Sequence, residues 1–206
     1  MIFKRLQEFY HTVEKGRYTQ GKETEALLEP LEGLFLFAAF LQKTLRAEGK
    51  VFVIGNGGSA GIASHFATDL LKALKIPALT LFDSNIMTCL SNDYGYEHVF
   101  SEPLKRLLKK EDLLVAISSS GKSPNILKAA QAALDQKASL ITLSGFRFDN
   151  PLRFLGGLNI WLEAEDYGLV ETGHFFILHT IVDLWKTGFF AKASKKVSKG
   201  QLAYVK

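Results

Sequence analysis

Two short polar loops, Gly55-Asn56-Gly57-Gly58-Ser59 and Ser118-Ser119-Ser120-Gly121-Lys122-Ser123, each lie between an apolar strand-like run and a stretch with helical spacing. Glycines let a backbone approach a ligand closely, and a helix start offers free N–H groups to an anion. Four hydroxyls and a glycine at such a position suit a phosphate monoester. Two other readings compete. Gly55, Gly57 and Ala60 fit the dinucleotide pattern G-x-G-x-x-A, but the expected ribose-binding acid, Asp83, lies about 28 residues on rather than about 20. The second loop nearly matches the P-loop G-x-x-x-x-G-K-[ST], but Ala116 replaces the first glycine inside an apolar run. One compact phosphorylated sugar uses both loops most simply.

The helical stretch after the first loop carries His65 and Asp69, four residues apart and so on one face. A histidine and a carboxylate at that spacing can both reach one zinc ion.

The elements that must position these groups follow from apolar patterning. Val51–Ile54, Pro77–Phe82, Leu113–Ile117 and Ser139–Leu143 read as strands, with a weaker one at Asn159–Leu162. Helical spacing covers Ser59–Leu74, Asn85–Leu90, Glu102–Lys109, Pro124–Gln136 and Val170–Phe190. Alternating strands and helices with continuously apolar strands predict an α/β fold, a three-layer αβα doubly wound parallel sheet. Ligands of such sheets bind beyond the carboxyl ends of the strands, where both loops fall. Ahead of this core, residues 1–49 read as a helical pair with a break bracketed by Gly16 and Gly21. The second helix, from about Lys22 to Ala47, is apolar around most of its girth at Leu34–Leu41, with Pro30 and Gly33 kinking it or delaying its start. Such a helix wants burial on several sides, which a subunit interface supplies. The core spans 50–190, and 191–206 is a basic, solvated tail.

The chain of 206 residues is long enough for one sizeable core, and 47% hydrophobic with 22% charged residues suits a folded protein. A net charge of +4 is far from the dense basic stripe of a nucleic-acid binder, so no nucleic-acid partner is expected. The single cysteine, Cys89, excludes an intramolecular disulfide and reads as a buried structural thiol. No segment approaches a membrane span or a signal peptide, so a cytoplasmic protein is expected.

The motifs GNGGSxxxxxHFA at Gly55–Ala67, SNDYGYEHVF at Ser91–Phe100, AISSSGKSPNIL at Ala116–Leu127 and ETGHFFILHTIVDL at Glu171–Leu184 together resemble the sugar isomerase (SIS) domain family. The histidine positions are most similar to its phosphoheptose isomerase branch. That resemblance implies a flavodoxin-like sheet in a homotetramer with active sites between subunits. It implies conversion of D-sedoheptulose 7-phosphate to D-glycero-D-manno-heptose 7-phosphate, for lipopolysaccharide or other surface glycans. It further implies that Asn56, Gly57, Gly58 and Ser59 face the sugar chain, that Asn92 and Asp93 hold its hydroxyls, and that Ser118, Ser119, Ser120 and Ser123 hold the phosphate. His65, Asp69, Glu171 and His179 fall where the family places its metal ligands and catalytic groups, with Glu171 and Asp69 also near substrate and zinc as the expected metal.

Aldose–ketose isomerisation needs a base that carries a proton between neighbouring carbons, and an acid or metal that steadies the enediolate oxygen. Asp69 is the candidate base and His179 the candidate acid. His174, five residues before His179, points elsewhere and is read as structural. Glu171 and His179 are eight apart, about 12 Å along a continuous helix. Either the helix begins after Glu171 or a neighbouring subunit supplies one of them; a site between subunits is the expectation. Two residues depart from the family pattern: Asp69 stands where it typically has Glu, and Glu171 where it has Gln. The first shortens the reach of a carboxylate; the second adds a charge. A non-catalytic SIS protein, a phosphosugar sensor or a tetrameric adaptor like the relative that helps initiate DNA replication, is the alternative.

Overall fold

The computed structural model describes residues 1–21 and 27–192. Five parallel strands form its centre: β3 (Val51–Ile54), β4 (Ala78–Leu79), β5 (Leu113–Ser118), β6 (Ser139–Gly145) and β7 (Leu158–Leu162). In space they run β4-β3-β5-β6-β7, so the order reverses between β3 and β5. That is the flavodoxin-like arrangement, and the reversal is where such sheets bind ligands.

Successive residues of these strands point to opposite faces, and both faces are apolar. Val51, Val53, Val115, Ile117 and Leu143 pack on one side against α2 (Pro30–Arg46), α3 (Gly58–Asp69) and α7 (Tyr167–Lys186). Phe52, Ile54, Leu114, Ala116 and Leu140 pack on the other against α5 (Ser101–Leu107) and α6 (Pro124–Asp135). Burial on both sides explains why the strands read as unbroken apolar runs.

The N-terminal segment holds the expected helical pair but adds two short strands between the helices. Helix α1 (Ile2–Glu14) is followed by two short strands, β1 (Arg17–Gln20) and β2 (Leu27–Leu28). Strand β1 pairs antiparallel with β7, from Arg17 opposite Trp161 to Gln20 opposite Leu158, and makes the sheet mixed. Its two middle residues, Tyr18 and Thr19, are both buried while its ends are exposed, so it lacks the alternation that betrays a strand. Pro30 delays the second helix rather than kinking it: it is the first residue of α2, which is capped by a box between Glu29 and Glu32. The part of the second-helix expectation that falls on 22–26, and the tail at 193–206, lie outside the described residues.

Three further differences are local. Only Ala78–Leu79 of the strand expected over Pro77–Phe82 pairs with β3. The expected weak strand at Asn159–Leu162 is a full, buried member of the sheet. Cys89 is exposed on α4 (Ser84–Tyr94) rather than buried, with its Sγ 3.6 Å from Asp93 Oδ2. Asp83, the acid of the dinucleotide reading, caps α4 by accepting from the Ile86 N–H at 2.9 Å.

Helix α1 lies against α7, with Phe9 edge-on to Phe176 at 5.9 Å. Its other side exposes Ile2, Phe3, Leu6 and Tyr10. Among the described residues, no helix is long and apolar enough to cross a membrane.

Candidate active site

The loop after β3 turns through Gly57, whose φ of 53° and ψ of −124° suit glycine alone. Gly58 then opens α3, and a Cβ there would run into the carboxylate of Glu171. Glu171 reaches across from α7, and its partial burial raises the carboxyl pKa above the usual value. Between α3 and α7 runs an open groove of about 300 Å³, lined by Gly58, Gly61, Ile62, His65, Glu171, Thr172 and Phe175.

Two turns along α3, His65 and Asp69 share a face with His179 of α7. The Asp69 Oδ2 atom lies 3.5 Å from His65 Nε2 and 3.5 Å from His179 Nδ1. One ligand atom from each of the three lies within 4.8 Å of the others. Bonds of about 2.0 Å in tetrahedral geometry separate ligand atoms by about 3.3 Å, so the cluster fits a small divalent cation. Phe175 packs edge-on against both imidazoles, at 5.0 Å and 4.4 Å, and holds them on the groove. A π-helical turn, Leu70–Leu74, begins directly behind Asp69, a distortion often found at functional sites.

Glu171 does not join this cluster. Helix α7 begins at Tyr167 and carries Glu171 and His179 on one continuous rod, so of the two alternatives a helix starting after Glu171 is ruled out. Within one chain Glu171 lines the groove beside Gly58, whereas His179 meets His65 and Asp69 next to it. His174 is fully buried, and its Nε2 donates to the Ser144 carbonyl at 3.1 Å. Burial lowers its pKa to about 4, so it is a neutral core residue and not a ligand.

The second loop leaves β5 next to the first. Ser118 and Ser123 place their hydroxyl oxygens 3.2 Å apart, and Ser120 Oγ accepts from the Lys122 N–H at 3.3 Å. The buried Ser119 hydroxyl has no partner among the described residues, and Ser123 precedes α6 without using its side chain as a cap. Hydroxyls gathered at a helix start, none of them spent as its cap, are what a phosphate monoester needs. Asn92 and Asp93 are exposed at the end of α4, and Asn92 Nδ2 donates to Asp93 at 2.9 Å.

Sequence reasoning passed over two residues here. Asn125, in the first turn of α6, exchanges two hydrogen bonds with Asn56: Asn56 Nδ2 donates to Asn125 Oδ1 at 2.9 Å, and Asn125 Nδ2 donates to Asn56 Oδ1 at 2.8 Å. Tyr96 adds its hydroxyl to Asn56 Oδ1 at 3.2 Å. An asparagine after Ser-Pro reads as an ordinary helix-start residue, so only its place beside the serine loop hinted at more.

A family model described as the SIS domain matches residues 24–145, more than half of the chain. This chain belongs to the SIS-domain family. Among curated relatives, the phosphoheptose isomerase of Helicobacter hepaticus is 36% identical over 176 residues, covering 79% of this chain and 89% of the relative. That of Campylobacter jejuni subsp. jejuni serotype O:6 is 36% identical over 196 residues, covering 92% of this chain and 98% of the relative. The solved structure of phosphoheptose isomerase GmhA from Neisseria gonorrhoeae superposes with a TM-score of 0.76 at 26% identity, covering 88% of this chain and 96% of that one. The SIS fold therefore accounts for the switch-point loops, and the cluster of His65, Asp69 and His179 lies on the two helices that flank its groove.

Proposed function

We propose that this SIS protein is a phosphoheptose isomerase that interconverts sedoheptulose 7-phosphate and D-glycero-D-manno-heptose 7-phosphate. The observation that carries the proposal is the meeting of His65 and Asp69, on the helix that starts from the glycine loop, with His179 of α7 beside the groove. Relatives named phosphoheptose isomerase support it across most of the chain.

In this reading Ser118, Ser119, Ser120 and Ser123 bind the phosphate, with the N-terminus of α6 behind them. Backbone groups of Gly57, Gly58 and Ser59 line the sugar chain, and Asn92 and Asp93 take its hydroxyls. Asp69 accepts the proton from one carbon and returns it to the neighbour. His179 moves the proton at the adjacent oxygen and assists ring opening. His65, Asp69 and His179 would hold the metal, zinc by the chemistry of the donor set, with Glu171 available from the far end of the groove. Bound zinc would polarise the carbonyl and hydroxyl pair. The enzyme works as a homotetramer in the cytoplasm, with the groove completed by a neighbouring subunit.

The test is to incubate the protein with a panel of ketose phosphates of five, six and seven carbons and to look for the aldose, with and without chelator. Conversion of the seven-carbon substrate, reduced by chelator, is the expected outcome. No conversion of any of them would leave a phosphosugar sensor or adaptor as the better account.

A further inference from the structure

The amide pair between Asn56 and Asn125 determines what each side chain has left to offer. The Ile126 N–H donates to one Asn125 side-chain atom at 3.0 Å, so that atom is the carbonyl Oδ1. The amino group of Asn125 therefore faces Asn56 Oδ1, and the reciprocal pair has one arrangement. Asn56 Oδ1 accepts from Asn125 and from Tyr96, which fills both of its lone pairs. Its Nδ2 spends one hydrogen on Asn125. The side chain of Asn56 thus has no acceptor left for a sugar hydroxyl and a single hydrogen left to donate.

We infer that Asn125 and Tyr96 are positioning residues, which lock the glycine loop after β3 to the serine loop after β5 and to the segment that carries Asn92 and Asp93. Three parts of the site meet at Asn56. Asn125 is 1% exposed and sits two residues past Ser123, so it moves with the phosphate loop. Tyr96 lies three residues past Asp93, in the turn Tyr96–His98, and its ring is 53% exposed. None of the serine hydroxyls bonds to this junction, so phosphate grip and loop alignment are separable. The role in turnover rests on the isomerase reading; the locking of the loops does not.

The test uses Tyr96→Phe, a surface change that leaves the core intact, and Asn125→Leu, which keeps the branched shape and removes every side-chain amide bond. Three quantities are read: kcat and KM for sedoheptulose 7-phosphate, affinity for inorganic phosphate, and amide hydrogen exchange in Gly55–Ser59. Loss of one hydrogen bond lowers kcat about fivefold in Tyr96→Phe. Misalignment on the order of 1 Å lowers it about 100-fold in Asn125→Leu. Affinity for phosphate stays within about threefold, and exchange in Gly55–Ser59 speeds up in both variants. Phosphate affinity that falls in step with kcat would overturn the inference, as would unchanged exchange in folded Tyr96→Phe. If the wild-type protein converts no ketose phosphate, the isomerase reading fails, and exchange together with phosphate affinity still decides whether the junction locks the loops.

Discussion

Asp69 is the residue on which two proposed roles converge, since its carboxylate touches both histidines. Its Oδ2 atom reaches both imidazoles at 3.5 Å, so the short carboxylate holds the cluster together. Removing the charge while keeping the shape takes away the base and an anionic metal ligand together. Asp69→Asn is expected to lower kcat by about 10²–10⁴ while binding of the phosphosugar, measured by calorimetry, is nearly unchanged. Unchanged turnover would remove Asp69 from the mechanism. His174 makes a second residue-scale prediction. The folded protein keeps it neutral down to about pH 4, whereas the unfolded chain binds a proton below about pH 6.5. Between those values the unfolded state holds more protons, so stability falls on acidification. The histidine contributes a loss of about 2 kcal/mol between pH 7 and pH 5. Urea unfolding of His174→Leu should show a correspondingly flatter profile across that window, from a lower starting stability. A profile parallel to wild type would place the acid sensitivity elsewhere.

At the scale of elements, α3 and α7 act as the two walls of the groove, and Gly58 sets how closely they meet at one end. A methyl group there collides with the Glu171 carboxylate, so Gly58→Ala should push α7 or its side chain outward. KM for the phosphosugar should rise by about tenfold or more, with a smaller drop in thermal stability; a variant with wild-type kinetics would show that the end of the groove is not occupied by substrate. The elements themselves were largely readable from the chain. Val51–Ile54 and Leu113–Ile117 are apolar on both faces, and the helices between them repeat at helical spacing, so the central sheet and its two loops followed directly. Strand β1 did not, because Tyr18 and Thr19 are buried side by side against β7 and leave no alternating pattern. The separation of Glu171 from His179 was foreseeable from eight residues of helical rise. The Asn56–Asn125 pair was not, because it joins residues 69 apart whose types also suit plain turns.

For the whole molecule, the exposed apolar stripe of α1 points to an assembly. Ile2, Phe3, Leu6 and Tyr10 are between 55% and 78% exposed, a surface that water disfavours. If it joins subunits, Leu6→Glu should shift the protein toward smaller species in sedimentation or light scattering, and turnover should fall with it if the groove is completed across that contact. An unchanged mass would send the interface elsewhere. The sheet itself carries one further consequence. The two loops spring from directly adjacent strands, Ile54 being in register with Ala116, and neighbouring strands lie about 4.8 Å apart. That pitch is dictated by backbone hydrogen bonding and is indifferent to side chains. The sheet is therefore a ruler of invariant length between the two ligand loops. Selection for a longer or shorter sugar has no purchase on that distance. It must act instead on the walls α3 and α7, which carry Asp69 and Glu171.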